Sequence, residues 1–534
     1  MRSADCACCT AGNLHVETIE ETAHPEVETH LGETENKSSG MSTPSDAPAM
    51  TDHVSMLIED DHLVRGISIH ATLRSGGSLW KKSPCDMTEA EKVGLWQKSR
   101  RVDEFDIFLS HAWVSSGRAK FLALLFYTGS GYSFLFWAIA LVCASGLCMC
   151  DVLPMPFVLP LELPEFSGDC PLGLWMLVFS SMAQLAGLAL SPYLPHRKCD
   201  CFLDVVSINQ HDPALTSRGI YALGGFLSRS KELRILWSAP LFTRLWCVFE
   251  LAAFCAVNPS GRIQLMPQYF VAIALLSMVS MMALPMVLWG MRLGIDFGWL
   301  HLPFTFAALL GSIHFGRRVS LQKQSLIEQL ESFTLDGAEC RLESDRGFIY
   351  EAVTQWYGGL DQFTELVRGP LRRQLLQCCS QIPAELLLFL VLPLVAYKAE
   401  LLLAMWKGGV PGNILIAYCC SAILGLGVLW TAFASSVCLC LVDFLAKPIR
   451  SGVAWDFFQS LAISVLTVFP FYSGNVLEAG ARKGDAILIA TWAALLCLCV
   501  AWFCWAASAG RLTVLFPLQW KIAGGPKCQQ HTEK

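Results

Sequence analysis

About eight stretches of nearly continuous apolar sequence, each close to the roughly 20 residues that a hydrocarbon core requires, constrain this chain more than any motif in it. They run from Phe121 to Leu147, Pro171 to Leu190, Phe270 to Met291, Trp299 to Phe315, Ala384 to Met405, Ile414 to Leu441, Trp455 to Tyr472 and Ala486 to Ala507. The fourth is short and carries His301 and Pro303. With 54% hydrophobic and 16% charged residues over 534 positions, the chain holds more apolar surface than one or two soluble cores can use. The expected fold class is an α-helical polytopic membrane protein with folded parts outside the bilayer.

Cytoplasmic loops carry the excess of Lys and Arg, which sets the orientation. With both termini cytoplasmic, only Arg292, Lys398, Lys407, Arg482 and Lys483 of the 39 basic residues fall outside the cytosolic segments. The loop from Met149 to Cys170 has none. An even number of spans follows, and the chain divides into a disordered acidic tail (1–62), a first soluble part (63–120), a transmembrane hairpin (121–190), a second soluble part (191–269), two spans (270–315), a cytosolic helical segment (316–382), four spans (383–509) and a cytosolic tail (510–534). The first 60 residues show no signal peptide; acidic and rich in Ser, Thr and Pro, they bury too little apolar surface to offset chain entropy.

Most of the 23 cysteines lie in spans or on the reducing side. In the first outside loop, Cys148 or Cys150 at one end can reach Cys170 at the other, and a Cys150–Cys170 bridge is the disulfide to look for. Cys6, Cys8 and Cys9 at the N-terminus are acylation candidates. His196, Cys199 and Cys201 have the elements of a metal site without a second cluster at ligand spacing, so inert thiols and no metal are expected.

The soluble parts read as α/β. "EFDIFLSHAW" is a buried strand running into a loop, and "GRAKFLALLFY" after it is helical and merges into the first span. "CDCFLDVVSINQ" is a second strand, "ALTSRGIYALGGFLSRS" a helix, "ELRILWSA" a third strand, "FTRLWCVFELAAFCAV" a helix and "GRIQLMPQ" a fourth strand. Strands alternating with helices imply a parallel sheet with covered faces, here a Rossmann-like domain interrupted by the first two spans. The block from Gly316 to Ile382 reads as a helical adaptor that packs on this domain.

One carboxylate, Glu250, stands in an otherwise uncharged, apolar run, "LWCVFELAAFCAV". A Glu on an apolar helix face has a raised pKa unless a partner offsets it, and Arg234 and Arg244 are the candidate partners. Ser110 and His111 end the first strand, where open α/β sheets bind ligands.

These segments resemble Toll/interleukin-1 receptor (TIR) domains: "FDIFLSHAW" their first strand and loop, "FLDVVSINQ" their second, and "LSRSKELRILWSAPLFTRLWCVFELA" the strand and the "WCxxEL" helix start. The likeness covers roughly 90 residues. Arg244 replaces the usual Ser before the Trp, the expected loop glycine is missing, and two spans interrupt the domain. The whole arrangement is similar to multi-span proteins of dinoflagellates and related protists, which assigns no activity. The resemblance implies signalling by self-association and, in TIR domains that cleave NAD, catalysis by the Glu of "WCxxE", carried here by Glu250, with Ser110, His111, Trp113, Asp204 and Trp246 as candidate substrate contacts. NAD would be a substrate; no cofactor is implied. Scission of the nicotinamide–ribose bond passes through an oxocarbenium-like state that a carboxylate stabilises. The plain alternative keeps the fold as an assembly surface only.

A transporter or channel with a regulatory TIR-like domain is the other function class. Ionisable groups in spans are its motive, and they are few: Glu385, Lys398, Glu400 and, just past the sixth span, Asp443. Lys398 is expected to snorkel toward the outside loop with Glu400 beside it. A net charge of −6 without basic stripes argues against nucleic acid, and no Walker A or Gly-x-Gly-x-x-Gly loop occurs.

Overall fold

The computed structural model describes residues 61–163, 165–259, 261–268, 271, 274–276, 301–340, 342–380, 382–482, 485–509 and 512–513. Nearly all of the tail read over 1–62, its three cysteines and nearly all of the tail over 510–534 lie outside these residues, as does most of the third expected span.

The sheet has strands β1 (Arg65–Ser68), β2 (Arg100–Arg101) and β3 (Ile107–His111), then β6 (Asp200–Phe202), β7 (Glu232–Trp237) and β8 (Arg262–Pro267); β4 (Phe157–Leu163) and β5 (Phe166–Leu172) form a separate hairpin. Spatial order is β2-β1-β6-β3-β7-β8. The four strands expected from sequence are mutually parallel and lie in the order second, first, third, fourth. Two antiparallel strands on the outer edge were not legible in the sequence, because "RGIS" and "RR" are too short and polar to show alternation. Strand β6 is also shorter than expected: the chain turns helical at Asp204–Ser207.

Helices α1 (Ile69–Gly77), α2 (Glu89–Lys98), α3 (Gly117–Met149), α4 (Trp175–Leu190), α5 (Asp204–Ser207), α6 (Pro213–Tyr221), α7 (Leu223–Ser228) and α8 (Leu245–Val257) follow one another through the two soluble parts and the hairpin between them. Thr88 and Glu91 form a reciprocal capping box that starts α2, and Asp212 caps α6 with Pro213 in its first turn. The helix expected from Ala214 to Ser230 breaks at Ala222, beside the Gly224-Gly225 pair.

Every residue of β3 is buried, so both sheet faces are covered. On one face Phe108 stacks on Phe202 at 4.3 Å and joins Phe105, Phe226, Trp237 and the apolar side of α8. On the other, Ile107 and Leu109 pack with Trp80, Leu236, Met266 and the first turns of α3, through Leu124 and Leu125. The helix that covers the sheet is thus the same unbroken helix that becomes the first candidate span.

Beyond α8 come α9 (His301–Glu331), α10 (Glu343–Tyr357), α11 (Leu360–Leu366), α12 (Arg372–Ser380), α13 (Ala384–Lys407), α14 (Gly412–Phe444), α15 (Val453–Arg482) and α16 (Ala486–Ser508). The end of α9 and α10 share the core of α8 through Leu326, Leu330, Phe348 and Ile349. Among the described residues, six helices are long and apolar enough to cross a membrane: α3, α4 with its extension to Tyr193, α13, α14, α15 and α16. This fits an integral multi-pass protein. From His301 on, the fourth expected span falls within α9, which runs on into charged sequence and is not among the six. The seventh is longer than expected: α15 continues past Tyr472, so Arg482 sits on the helix and pairs with buried Glu478 one turn earlier.

The disulfide expected in the loop after α3 is not formed: the loop holds the β4–β5 hairpin, and Cys150 and Cys170 are free thiols. Cys150 lies exposed at the end of α3, whereas Cys170 points inward from β5 against Gly408, so the two side chains face different surroundings.

Candidate active site at the carboxyl end of the sheet

Successive strand residues face opposite sides of a sheet, so Ser110 and His111 at the end of β3 look in opposite directions. Ser110 faces α8, where its hydroxyl hydrogen-bonds the Glu250 carboxyl. His111 faces α3, edge-on to Trp80 at 5.3 Å and to Trp113 at 4.7 Å between ring centroids. Asp204, just past β6, joins the two sides: it accepts a 2.6 Å hydrogen bond from the Trp113 indole N–H, and its charge acts on Glu250. The Cys247 thiol contacts the His111 carbonyl at 3.5 Å. Five residues singled out from sequence therefore meet: Ser110, His111, Trp113, Asp204 and Glu250.

Trp246 does not join them. Its indole N–H donates to Asp345 at 3.1 Å, and its ring packs against Phe249 and Phe348, so it ties α8 to α10. The partners expected for Glu250 are also engaged elsewhere. Arg234 pairs with Glu232 at 2.6 Å and Arg244 with Glu339 at 2.8 Å.

Sequence reading missed Lys120. It lies on the first turn of α3, is completely buried, and sits 4.9 Å from the centroid of the Trp113 ring. An isolated Lys at the head of an apolar run reads as an interfacial anchor, and nothing in its spacing signals that it points into the domain.

The electrostatics follow from burial. Glu250 is 7% exposed, and loss of water raises its pKa to about 8; the Ser110 bond opposes this and the Asp204 charge adds to it. Burial raises Asp204 too, against the Trp113 bond, the Val205 N–H and the Lys120 charge. Burial, then Lys120, hold His111 well below the ordinary imidazole value. At neutral pH Glu250 is a carboxylic acid and His111 a neutral ring. Glu250 Oε2 and His111 Nε2 are buried without a hydrogen-bond partner.

The side chains of the cluster are all buried. An open cavity of about 430 Å³ lies at the other end of the sheet, lined by Asp61, Arg101, Asp103, Asp106, Lys198 and Arg229. Ion pairs occupy much of its charge, Asp61 with Arg229 and Asp106 with Lys231. Among the described residues, no group of three or more His, Cys, Asp or Glu is placed to hold a metal.

The ionisable pair that motivated a transport reading is placed differently from expectation. Lys398 and Glu400 are both buried, and Glu400 accepts hydrogen bonds from the amides of Met176 at 2.8 Å and Leu177 at 3.2 Å. It caps the start of α4 from a neighbouring helix, a structural task. Compared with protein families, curated proteins and solved structures, the chain matches none.

Proposed function

We propose that this chain is a membrane-anchored signalling protein, with both termini cytoplasmic, whose split TIR-like domain acts by self-association and hydrolyses NAD at the nicotinamide–ribose bond when its carboxyl-end cluster opens. The observation that carries the reading is the placement of Glu250: a carboxyl bonded to Ser110 at the end of the central strand, paired with neither nearby arginine. The parallel strand order second, first, third, fourth supports it, because doubly wound sheets of that order bind ligands at the carboxyl edge.

The sealed cluster is the resting state. A buried, protonated Glu250 cannot stabilise positive charge. Opening hydrates the carboxyl, lowers its pKa and leaves a carboxylate beside the ribose. The C1′–N bond then breaks with its electron pair leaving on nicotinamide; water adds at C1′ and releases a proton, giving ADP-ribose.

The test is nicotinamide release from NAD by the purified full chain in lipid nanodiscs and in densely loaded vesicles, beside Glu250→Ala and Glu250→Gln. Turnover in the wild type that rises with protein density, and its loss in both folded variants, is expected. No release at any density would remove the chemistry and leave an assembly role for the domain.

A further inference from the structure

We infer that membrane helix α3 controls the opening of the carboxyl-end cluster, with Lys120 as the positioning residue that links them; this rests on reading the cluster as a functional site, whatever its substrate.

Helix α3 has 33 residues and no internal proline. At 1.5 Å per residue it is about 50 Å long, against a hydrocarbon core of about 30 Å. Several turns therefore belong to the soluble domain. Burial follows the same division: Lys120, Leu124 and Leu125 are buried, the two leucines in the core beneath the sheet, whereas Leu135, Ile139 and Val142 are exposed apolar residues of the kind lipid covers.

The buried end is clamped in register. A Cβ on Gly117 would stand 1.7 Å from the carbonyl oxygen of Trp80, and one on Gly77 would stand 2.4 Å from the Phe121 ring. Such contacts leave α3 no freedom to slide without moving the segment that carries Trp80. Trp80 meets His111 edge-on, and Lys120 lies over Trp113, which holds Asp204. Two separate routes thus run from the helix to the cluster, one steric and one electrostatic. A tilt or vertical shift of α3 in the bilayer changes both together, which makes the span an input to the site as well as an anchor.

Labelling of Cys247 by a maleimide reads the opening directly, since its thiol lies against the His111 carbonyl. Cys255, buried two turns further along α8, reports unfolding in the same molecule. The full-length protein is placed in nanodiscs of phosphatidylcholine with short or long acyl chains, and modification at each cysteine is followed by peptide mass spectrometry. The wild-type Cys247 rate is expected to differ between the bilayers while Cys255 stays slow. In Lys120→Met the Cys247 rate should rise roughly threefold to thirtyfold, the shift that loss of a desolvated cation–π contact implies, and lose its dependence on bilayer thickness.

An unchanged Cys247 rate across bilayers in the wild type overturns the inference. If Lys120→Met raises both cysteines together, the variant has unfolded and the wild-type series decides alone. Nicotinamide release is measured in the same samples: a responsive thiol without release removes the NAD reading and keeps the coupling, and release with an unresponsive thiol does the reverse.

Discussion

Glu250 carries a free-energy cost that pH exposes. Its carboxyl has a pKa of about 8 in the fold against an ordinary value of 4.5. Between those values the native state keeps a proton that the unfolded chain has released, so stability falls as pH rises and the loss is complete above about pH 8. The size is roughly 3 to 5 kcal/mol. His111 acts in the opposite window: neutral in the fold, it gains a proton on unfolding below about pH 6.5, so its contribution is lost as pH falls. Glu250→Gln removes the first effect and leaves the second. Thermal unfolding of the solubilised protein from pH 5 to 9 should show the two forms close at pH 5 and the Gln variant increasingly more stable toward pH 9. Parallel curves would mean that Glu250 titrates as an ordinary exposed carboxyl.

At the scale of elements, buried charged side chains connect the helices. Glu400 on α13 takes two amides at the start of α4. Arg317 on α9 is almost fully buried, pairs with Asp456 of α15 at 2.9 Å, and donates to the Leu445 and Ala446 carbonyls that follow α14. A buried charge satisfied in this way fixes which helices are neighbours. Glu400→Gln keeps an acceptor for α4 and should unfold near the wild-type temperature. Glu400→Leu orphans both amides, at about 1 to 3 kcal/mol each, and should unfold several degrees lower. Equal melting temperatures for the two variants would show that the cap contributes nothing, and would return Glu400 to the pool of transport candidates.

Across the whole molecule, the proposed orientation makes a direct prediction. Cys85 is exposed in the soluble domain and Cys150 is exposed at the far end of α3. In sealed vesicles with the outside face outward, an impermeant maleimide should modify Cys150 and spare Cys85 until the membrane is opened. Modification of both before permeabilisation would place them on one side, and α3 would then not cross. The same helix that joins these thiols covers a sheet face through Leu124 and Leu125. Completion of the sheet needs α4 to return the chain to β6, which explains how two candidate spans interrupt a domain without dividing its core.

The sequence by itself determined what is local. Lengths of apolar sequence marked eight stretches, six of which are the candidate membrane helices, the alternation of buried strand and helix marked the parallel strands, and "FDIFLSH" and "WCVFEL" marked where a site would lie. Only the tertiary structure decided who meets whom. Ser110 and Glu250 are far apart in the chain with the α3–α4 helix pair between them, and their contact depends on α4 bringing β6 and α8 back to β3. The same holds for Trp246 turning to Asp345, Cys170 turning to Gly408, Glu400 reaching α4 and Lys120 entering the domain. Propensity and periodicity are written in neighbouring residues, whereas the partner of a buried polar group is set by packing, through the cost of leaving it unsatisfied.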